Sequence, residues 1–396
     1  MIEFDTHRLK WITDIRRDLH AHPELSFREH RTTDRIVDIL NDLDIETRRL
    51  PESPGAVALI EGQTSGPCLG FRADIDALPI QEANTSSYRS RFPNAMHACG
   101  HDANTAIMLG VAKTLTQSAR HTKLPGRVKF IFQPAEEREA GAETTIAQGV
   151  LEAPRVDRIL AGHMAPDLDV GTIGIFKDKG YAAADLFSLE ITGRGGHGGR
   201  PHETRDPLAA GAYFVTALQT LVGRNTDPVD PAVVSVGKFR AGDTGNVIPE
   251  TAFLEGTIRT HSDASRDLIL KRMTEMTTGL EATFDVICRL NITPETPACR
   301  NHTSVSHDLF ELAGELLGKD KVTWLPPTMG SEDFAFFTLA RPGAIVRLGC
   351  RNAAKGITAP LHSPYFDIDE AVLEIGVQLF YRAALDFLSG INASEK

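Results

Sequence analysis

Apolar residues recur along the chain with two different periods. Trp11, Ile12, Ile15 and Leu19 fall on one helical face, at i, i+1, i+4 and i+8. Ile36, Val37, Ile39, Leu40 and Leu43 do the same for a second helix over 29–43. Short apolar runs bounded by Gly and Pro follow at 56–60 and 68–71, and both predict strands. The pattern next predicts a helix over 103–115, a strand over 128–132 stopped by Gln133-Pro134, and a short helix over 142–150. A strand over 158–161 then leads into Gly162-His163. Strand alternating with helix is the pattern of an α/β layer with a largely parallel sheet. Near Gly180 the order changes. Strands at 186–191, 233–239, 252–259 and 284–290, with helices at 204–221 and 264–280, read βαββαβ, a ferredoxin-like layer. Helices at 305–317 and 370–388 resume the first pattern. The expected fold class is α/β: a domain with a mostly parallel sheet, built from 1–181 and 297–396, plus an inserted ferredoxin-like βαββαβ domain at 182–296. No internal repeat or low-complexity tract interrupts this reading.

Composition narrows the class without naming a chemistry. The 396 residues are 41% hydrophobic and 24% charged, the balance of a water-soluble globular chain long enough to bury a core without disulfides. A formal net charge of −11 argues against a nucleic-acid partner, which needs a basic surface. Five cysteines, an odd and sparse set, form no disulfide framework and suit a reducing compartment. The charged N-terminus shows no apolar signal segment, and no run is long enough to span a membrane. The expected location is the cytoplasm.

Metal-type ligands concentrate at four places: Met96-His97-Ala98-Cys99-Gly100-His101-Asp102, Gln133-Pro134-Ala135-Glu136-Glu137, Gly162-His163 and Leu361-His362-Ser363-Pro364. Two of these follow predicted strands, and ligands of open α/β sheets gather at the carboxyl ends of strands. Each has an ordinary reading as well: a buried thiol, a helix-capping histidine, a solvated glutamate pair. Together, a thiolate, three imidazoles and a carboxylate make a site for Mn, Zn, Co or Ni. Five side chains exceed the four of a closed structural zinc site, which suggests two divalent transition-metal ions with a bridging ligand and open positions. Adjacent glutamates can then divide the labour. One faces the metal, and its neighbour takes a proton from the attacking water and passes it to a leaving amine.

At this point the chain resembles the M20 metallopeptidase family, specifically its amidohydrolase branch of hippurate, N-acyl-amino-acid and auxin-conjugate hydrolases. The resemblance is carried by DLHAHPELSF (18–27), RADIDALPI (72–80), MHACGHD (96–102), FQPAEE (132–137), GRGGHGGRPH (193–202), GNVIPE (245–250), GTIRT (256–260), GSEDF (330–334) and HSPYFDIDE (362–370), in that order over almost the whole chain. It implies that Cys99, His101, Glu137, His163 and His362 are metal ligands, with Cys99 bridging, and that Glu136 is the general base and acid. It implies that His197 of the inserted domain reaches across a homodimer, formed through that domain, to steady the oxyanion in the partner's site. It implies that Asn246 and Arg259 bind the substrate's carboxylate or carbonyl end, Arg259 through its bidentate fork. Asp74 and Asp102 are expected to orient ligands or to cap local structure.

The chain departs from the branch at Asn104, where a histidine is usual, at the charged Arg138-Glu139-Ala140-Gly141 after FQPAEE, and at Arg347 before Leu348-Gly349. None of these removes an expected ligand. The resemblance therefore implies a dinuclear metal-dependent amidohydrolase that cleaves N-acyl or N-aroyl amino acids to a carboxylic acid and an amino acid. The alternatives on the same machinery are a dipeptidase or carboxypeptidase-like enzyme and a hydrolytic aromatic-amine deaminase. A binding protein on a degenerate scaffold is disfavoured by the full ligand set and the intact Glu136.

Overall fold

The computed structural model describes residues 6–119, 124–138 and 141–390. Two compact units divide the chain: Met1–Gly180 with Arg300–Pro326 and Asp333–Lys396, and Tyr181–Cys299 with Pro327–Glu332.

The first unit opens with α1 (Thr6–Ala21) and α2 (His30–Asp42), followed by strands β1 (Glu46–Arg49), β2 (Ala56–Glu61) and β3 (Thr64–Asp74). Then come α3 (His101–Ala119), β4 (Pro125–Gln133), α4 (Gly141–Ala147), β5 (Arg158–Asp169) and β6 (Ile173–Phe176). In the second unit lie β7 (Ala183–Thr192), α5 (Pro207–Thr220), β8 (Ala232–Ala241), β9 (Thr251–Thr260), α6 (Asp263–Phe284) and β10 (Ile287–Thr296). The first unit resumes with α7 (Thr303–Leu317), β11 (Val322–Leu325), α8 (Phe334–Ala340), β12 (Gly343–Arg351) and α9 (Ala371–Leu388).

Its eight-stranded sheet runs β1-β2-β4-β3-β5-β12-β6-β11. The four central strands, β4, β3, β5 and β12, pair in parallel, and antiparallel pairs flank them. This is the mostly parallel α/β sheet that the strand–helix alternation predicts. Alternation along each strand sorts residues to two faces. Leu69, Phe71 and Ala73 of β3, Phe130 and Phe132 of β4, and Val346 and Leu348 of β12 join the core shared with α1, α3 and α9. Arg72, Asp74 and Gln133 point the other way, and the face that is polar at the carboxyl ends of the strands is where chemistry becomes possible.

The second unit is βαββαβ, with its four-stranded antiparallel sheet in the order β8-β9-β7-β10. Asp206 caps α5 by accepting from the Leu208 and Ala209 amides, with Pro207 in the first turn. Ser262 caps α6, which closes on left-handed Asp285. Phe187, Leu189, Ile191, Phe214, Leu254, Ile258 and Met273 form its separate core.

Several elements differ from the hydrophobic pattern. Strand β5 runs on to Asp169, so His163 sits inside a strand rather than just past one. Helix α6 continues through Phe284, and the strand expected from 284 begins at Ile287. The short β1, β6 and β11, the helix α8 and the Gly- and Arg-containing β12 have no expected counterpart. Among the described residues no helix is long and apolar enough to cross a membrane.

Candidate metal centre

Cys99, His101, Glu136, Glu137, His163 and His362 all lie in the first unit, whereas His197, Asn246 and Arg259 lie in the second. The first six are delivered by strand ends, a helix start and tight turns. His101 is the first residue of α3. Between it and Cys99, Gly100 has φ +86, and a Cβ there would sit 2.5 Å from Met164 Cγ. Only glycine lets this turn approach the strand bearing His163. After β4, Ala135 takes a left-handed φ of 57° and turns Glu136 and Glu137 into a single 3₁₀ turn. His362 is also left-handed, at φ 63°, and its amide donates to Ala98 O at 2.8 Å. Such backbone strain persists only where surrounding structure enforces it, and it clusters at working sites.

The donor atoms converge. Cys99 Sγ is 3.4 Å from His163 Nε2. His101 Nε2 is 3.9 Å from both Glu136 Oε2 and Glu137 Oε1, and Glu137 Oε1 is 3.5 Å from His362 Nε2. Cys99, His101 and His163 form one triad of ligand atoms within 4.8 Å of each other, and Cys99, Glu137 and His362 form another. Cys99 belongs to both. The imidazole orientations are fixed from behind. His163 Nδ1 donates to Met164 O at 2.8 Å, which leaves Nε2 as the lone-pair atom facing Cys99. His101 Nδ1 faces Asp76 O at 3.0 Å and Asp76 Oδ1 at 3.2 Å. Asp76 Oδ2 also accepts from the Glu137 amide at 3.1 Å.

The electrostatics match a cation site. Burial alone would raise Asp74, but His101, Arg72 and His163 pull it down to about 2. Burial opposes a charge on His101, yet Asp74 and Cys99 outweigh it and hold the ring well above its usual range. The negative groups around His101 therefore favour positive charge at this place. Burial lowers His163 to about 4, so it is neutral and able to ligate. Burial and Glu137 raise the Cys99 thiol, and the Glu137 carboxylate raises His362. His101 Nε2 and Glu137 Oε1 are buried without a hydrogen-bond partner. Buried polar atoms seldom stay unsatisfied, and these point into the cluster, so the residues fit a bound ion.

Two expected orienting residues behave differently from each other. Asp74 faces the cluster, held by Arg72 at 2.6 Å and by Asn104 Nδ2 at 2.8 Å. Asp102 instead turns to Arg16 and His20, both at 2.8 Å. The residue that sequence reasoning missed is Asp76, which takes the His101 Nδ1 contact. Its place in RADIDALPI, two residues beyond Asp74 where β3 ends, was the available signal. Asn104, at the unusual position, donates from Nδ2 to Asp74 Oδ1. Arg347 pairs in register with His163 and bonds Asp167 at 2.8 Å. Glu139 and Ala140 lie outside the described residues.

In the second unit His197 is exposed and accepts the Gly199 amide on Nδ1 at 2.9 Å. It pairs with Val247, and the Gly198 amide donates to Asn246 O at 2.8 Å, so His197 and Asn246 are neighbours. Arg259 stands on β9, between Val233 and Ala184 in register.

Comparison with known proteins decides the lineage. Residues 70–386 match the model of peptidase family M20/M25/M40. The chain belongs to that family. An N-acetylcysteine deacetylase of Bacillus subtilis (strain 168) is 39% identical over 382 residues, 96% of this chain and 98% of the relative. IAA-amino acid hydrolase ILR1-like 4 of Arabidopsis thaliana is 35% identical over 390 residues, 97% of this chain and 87% of the relative. The crystal structure of the Bacillus subtilis YXEP protein, described as a dinuclear metal binding peptidase from the M20 family, superimposes with a TM-score of 0.85. It is 36% identical and covers 97% of this chain and 99% of its own. This M20 chain is a hydrolase of amide bonds.

Proposed function

We propose that this M20 enzyme is a dinuclear metal-dependent amidohydrolase that cleaves N-acyl or N-aroyl amino acids into a carboxylic acid and a free amino acid. The observation that carries the reading is the pair of ligand triads sharing Cys99, with Glu136 beside them. Cys99, His101, Glu137, His163 and His362 would hold two divalent transition-metal ions, with Cys99 shared between them. When bound, the ions supply Lewis acidity toward the scissile carbonyl and acidify a water. Glu136, largely buried with Oε2 3.9 Å from His101 Nε2, takes the proton from the attacking water and returns it to the leaving nitrogen. Asp76 keeps the His101 ring and the Glu137 backbone in register while this happens. Relatives named for deacetylation and for amino-acid conjugate hydrolysis support an amino-acid amide as substrate. We further place His197, Asn246 and Arg259 in substrate and oxyanion binding, with His197 supplied by the second copy of a homodimer.

The deciding experiment is a product-release assay over N-acyl amino acids, dipeptides and aromatic amines. Metal-stripped enzyme is reloaded with Mn, Zn, Co or Ni in separate arms, and metal content is measured alongside. Turnover of acyl amino acids is expected with about two ions per chain. Glu136→Gln should keep the metal and lose about 10²–10⁴ in kcat. Turnover confined to dipeptides or amines would refute the substrate, and full activity after complete chelation would refute the mechanism. Co-expressing His197→Ala with Glu136→Gln should restore activity in heterodimers, and inactive heterodimers would refute a shared site.

A further inference from the structure

The DLHAHPELSF segment and the helix turn before it supply none of the proposed ligands, yet they carry some of the most deeply buried polar side chains in the first unit. Arg16 of α1 is fully buried. Its Nε donates to Asp102 Oδ2 at 2.8 Å and its Nη2 to Asp367 Oδ1 at 2.9 Å, and its Nη1 reaches Glu370 Oε1 at 3.4 Å. One turn later His20 meets the same Asp102 oxygen through Nδ1 at 2.8 Å and Glu82 Oε1 through Nε2 at 3.3 Å. Burial and Arg16 pull the His20 pKa down, but Asp102 and Glu82 outweigh them and hold it above its usual range. Both ring nitrogens can then donate. Tyr88 closes the group. Its hydroxyl donates to Asp367 Oδ2 at 2.8 Å, and its ring lies 4.9 Å from the guanidinium carbons of Arg16 and Arg17.

The partners of Arg16 are placed tellingly. Asp102 directly follows His101 at the start of α3, and Asp367 and Glu370 follow His362 on the segment leading into α9. Backbone bonds tie the same regions together, from His362 N to Ala98 O at 2.8 Å and from Ala83 N to Pro364 O at 2.9 Å. Asp102, Asp367 and Glu370 repel one another unless a cation stands between them. A planar guanidinium offers five donors in fixed directions and can bond all three carboxylates at once, whereas an ammonium cannot match that geometry.

We propose that Arg16, braced by His20 and Tyr88, is a positioning residue of the metal centre: it fixes the spacing between the segments that carry His101 and His362, and so sets how tightly the site holds its ions. This inference rests on reading His101 and His362 as ligands. Outer partners that orient ligands typically contribute about 10–100-fold in metal affinity.

The test uses the full chain stripped of metal and titrated with Co²⁺ against a competing chelator. The cobalt absorption spectrum, including the thiolate band expected from Cys99, and the thermal midpoint are followed in parallel. Arg16→Lys keeps the charge and loses the fork. It is expected to weaken Co²⁺ binding about tenfold or more and to shift the spectrum. His20→Gln should weaken binding in the same direction by a smaller factor. Lys10→Ala is the control. It lies on the same helix and pairs with exposed Asp14, outside the group around Arg16. Binding and spectrum should stay as in the wild type. Should Arg16→Lys fail to fold, His20→Gln and Tyr88→Phe decide the matter by the same readings. Wild-type affinity and spectrum in the Arg16 and His20 variants, even with lowered thermal midpoints, would overturn the proposal and leave the ligand reading standing. A wild-type chain that binds no Co²⁺ would overturn both.

Discussion

Replacing Glu29 with Gln should stabilise the protein above neutral pH. Glu29 is fully buried just before α2, and its Oε1 accepts the amide of Ala135, the left-handed residue that turns Glu136 and Glu137 into place. Its Oε2 is buried with no hydrogen-bond partner. Burial, and after it Asp76, raise the carboxyl from 4.5 to about 7. The unfolded chain therefore releases this proton near its ordinary value, while the folded chain keeps it to about neutrality. Between those two values the folded state binds more protons, so stability falls as pH rises. At about 1.4 kcal/mol per pH unit over the interval from 4.5 to about 7, the loss grows to about 3 kcal/mol. It is complete above the folded value and absent below the unfolded one. Glutamine copies the shape of the protonated acid, keeps an acceptor for Ala135 and does not titrate. The assay is urea unfolding of both proteins across the range from about pH 5 to about pH 8, with metal removed because a bound ion stabilises the folded state by itself. The stability difference should be small at the acid end and reach a few kcal/mol in favour of Glu29→Gln at the basic end. Parallel curves would refute a buried, proton-holding Glu29.

Two further substitutions separate the site from the scaffold. Gly100→Ala must adopt φ +86 with its Cβ 2.5 Å from Met164 Cγ, so the turn between Cys99 and His101 has to move away from β5. A stability loss of about 1–3 kcal/mol is expected, together with weaker metal binding in a chelator competition, and unchanged affinity would contradict the geometry. Lys129→Met removes an ammonium that donates to the carbonyls of Val150, Glu152 and Pro154 at 3.0, 2.7 and 2.8 Å. Unfolding should show a loss of about 3 kcal/mol with metal content per folded chain unchanged.

Short apolar runs bounded by Gly and Pro made β3, β4 and β5 of the central strands legible, and helical periodicity did the same for the long helices. The pattern failed where burial and polarity part company. Glu46–Arg49 is a short, largely exposed edge strand with no apolar alternation to detect. Strand β12 is central, yet Arg347 and Gly349 interrupt its apolar run. The clearest failure is α1. Its buried residues are Ile12, Ile15, Arg16, Leu19, His20 and Ala21, so a buried guanidinium and a buried imidazole share the apolar face. A hydrophobic count reads only the aliphatic members and assigns Arg16 and His20 to solvent. Arg16 lies four residues after Ile12 and His20 four after Arg16, and that spacing was the signal that they face inward.

The site divides along the same line. On the proposed function, Cys99, His101, Glu136, Glu137, His163 and His362 are the side chains a metal or a proton would need, and few substitutes exist. The residues that hold them have many substitutes, since an orienting hydrogen bond can come from any carboxylate or carbonyl within reach. Asp76 took the contact to His101 while Asp102, one residue along from that ligand, turned to α1. The reason is direction. His101 opens α3, so successive side chains rotate by about 100° around the helix. Asp102 consequently faces α1, and Asp76, arriving from the end of β3, is the carboxylate that meets His101 Nδ1. Arg72 shows the same logic on the sheet. It alternates away from the core occupied by Phe71 and Ala73, and there it is buried between Asp74 and Asp333 at 2.6 Å each and Gln133 at 2.7 Å. A lone charge could not stay in that place, and two carboxylates without it would repel. His101 first, then Arg72 and His163, hold the Asp74 carboxyl down at about 2, and Asp74 in return raises His101, so Arg72 supports a mutual attraction between the two. If His101 is a metal ligand as proposed, Arg72 contributes to the negative potential that would favour a cation there by keeping Asp74 ionised from behind.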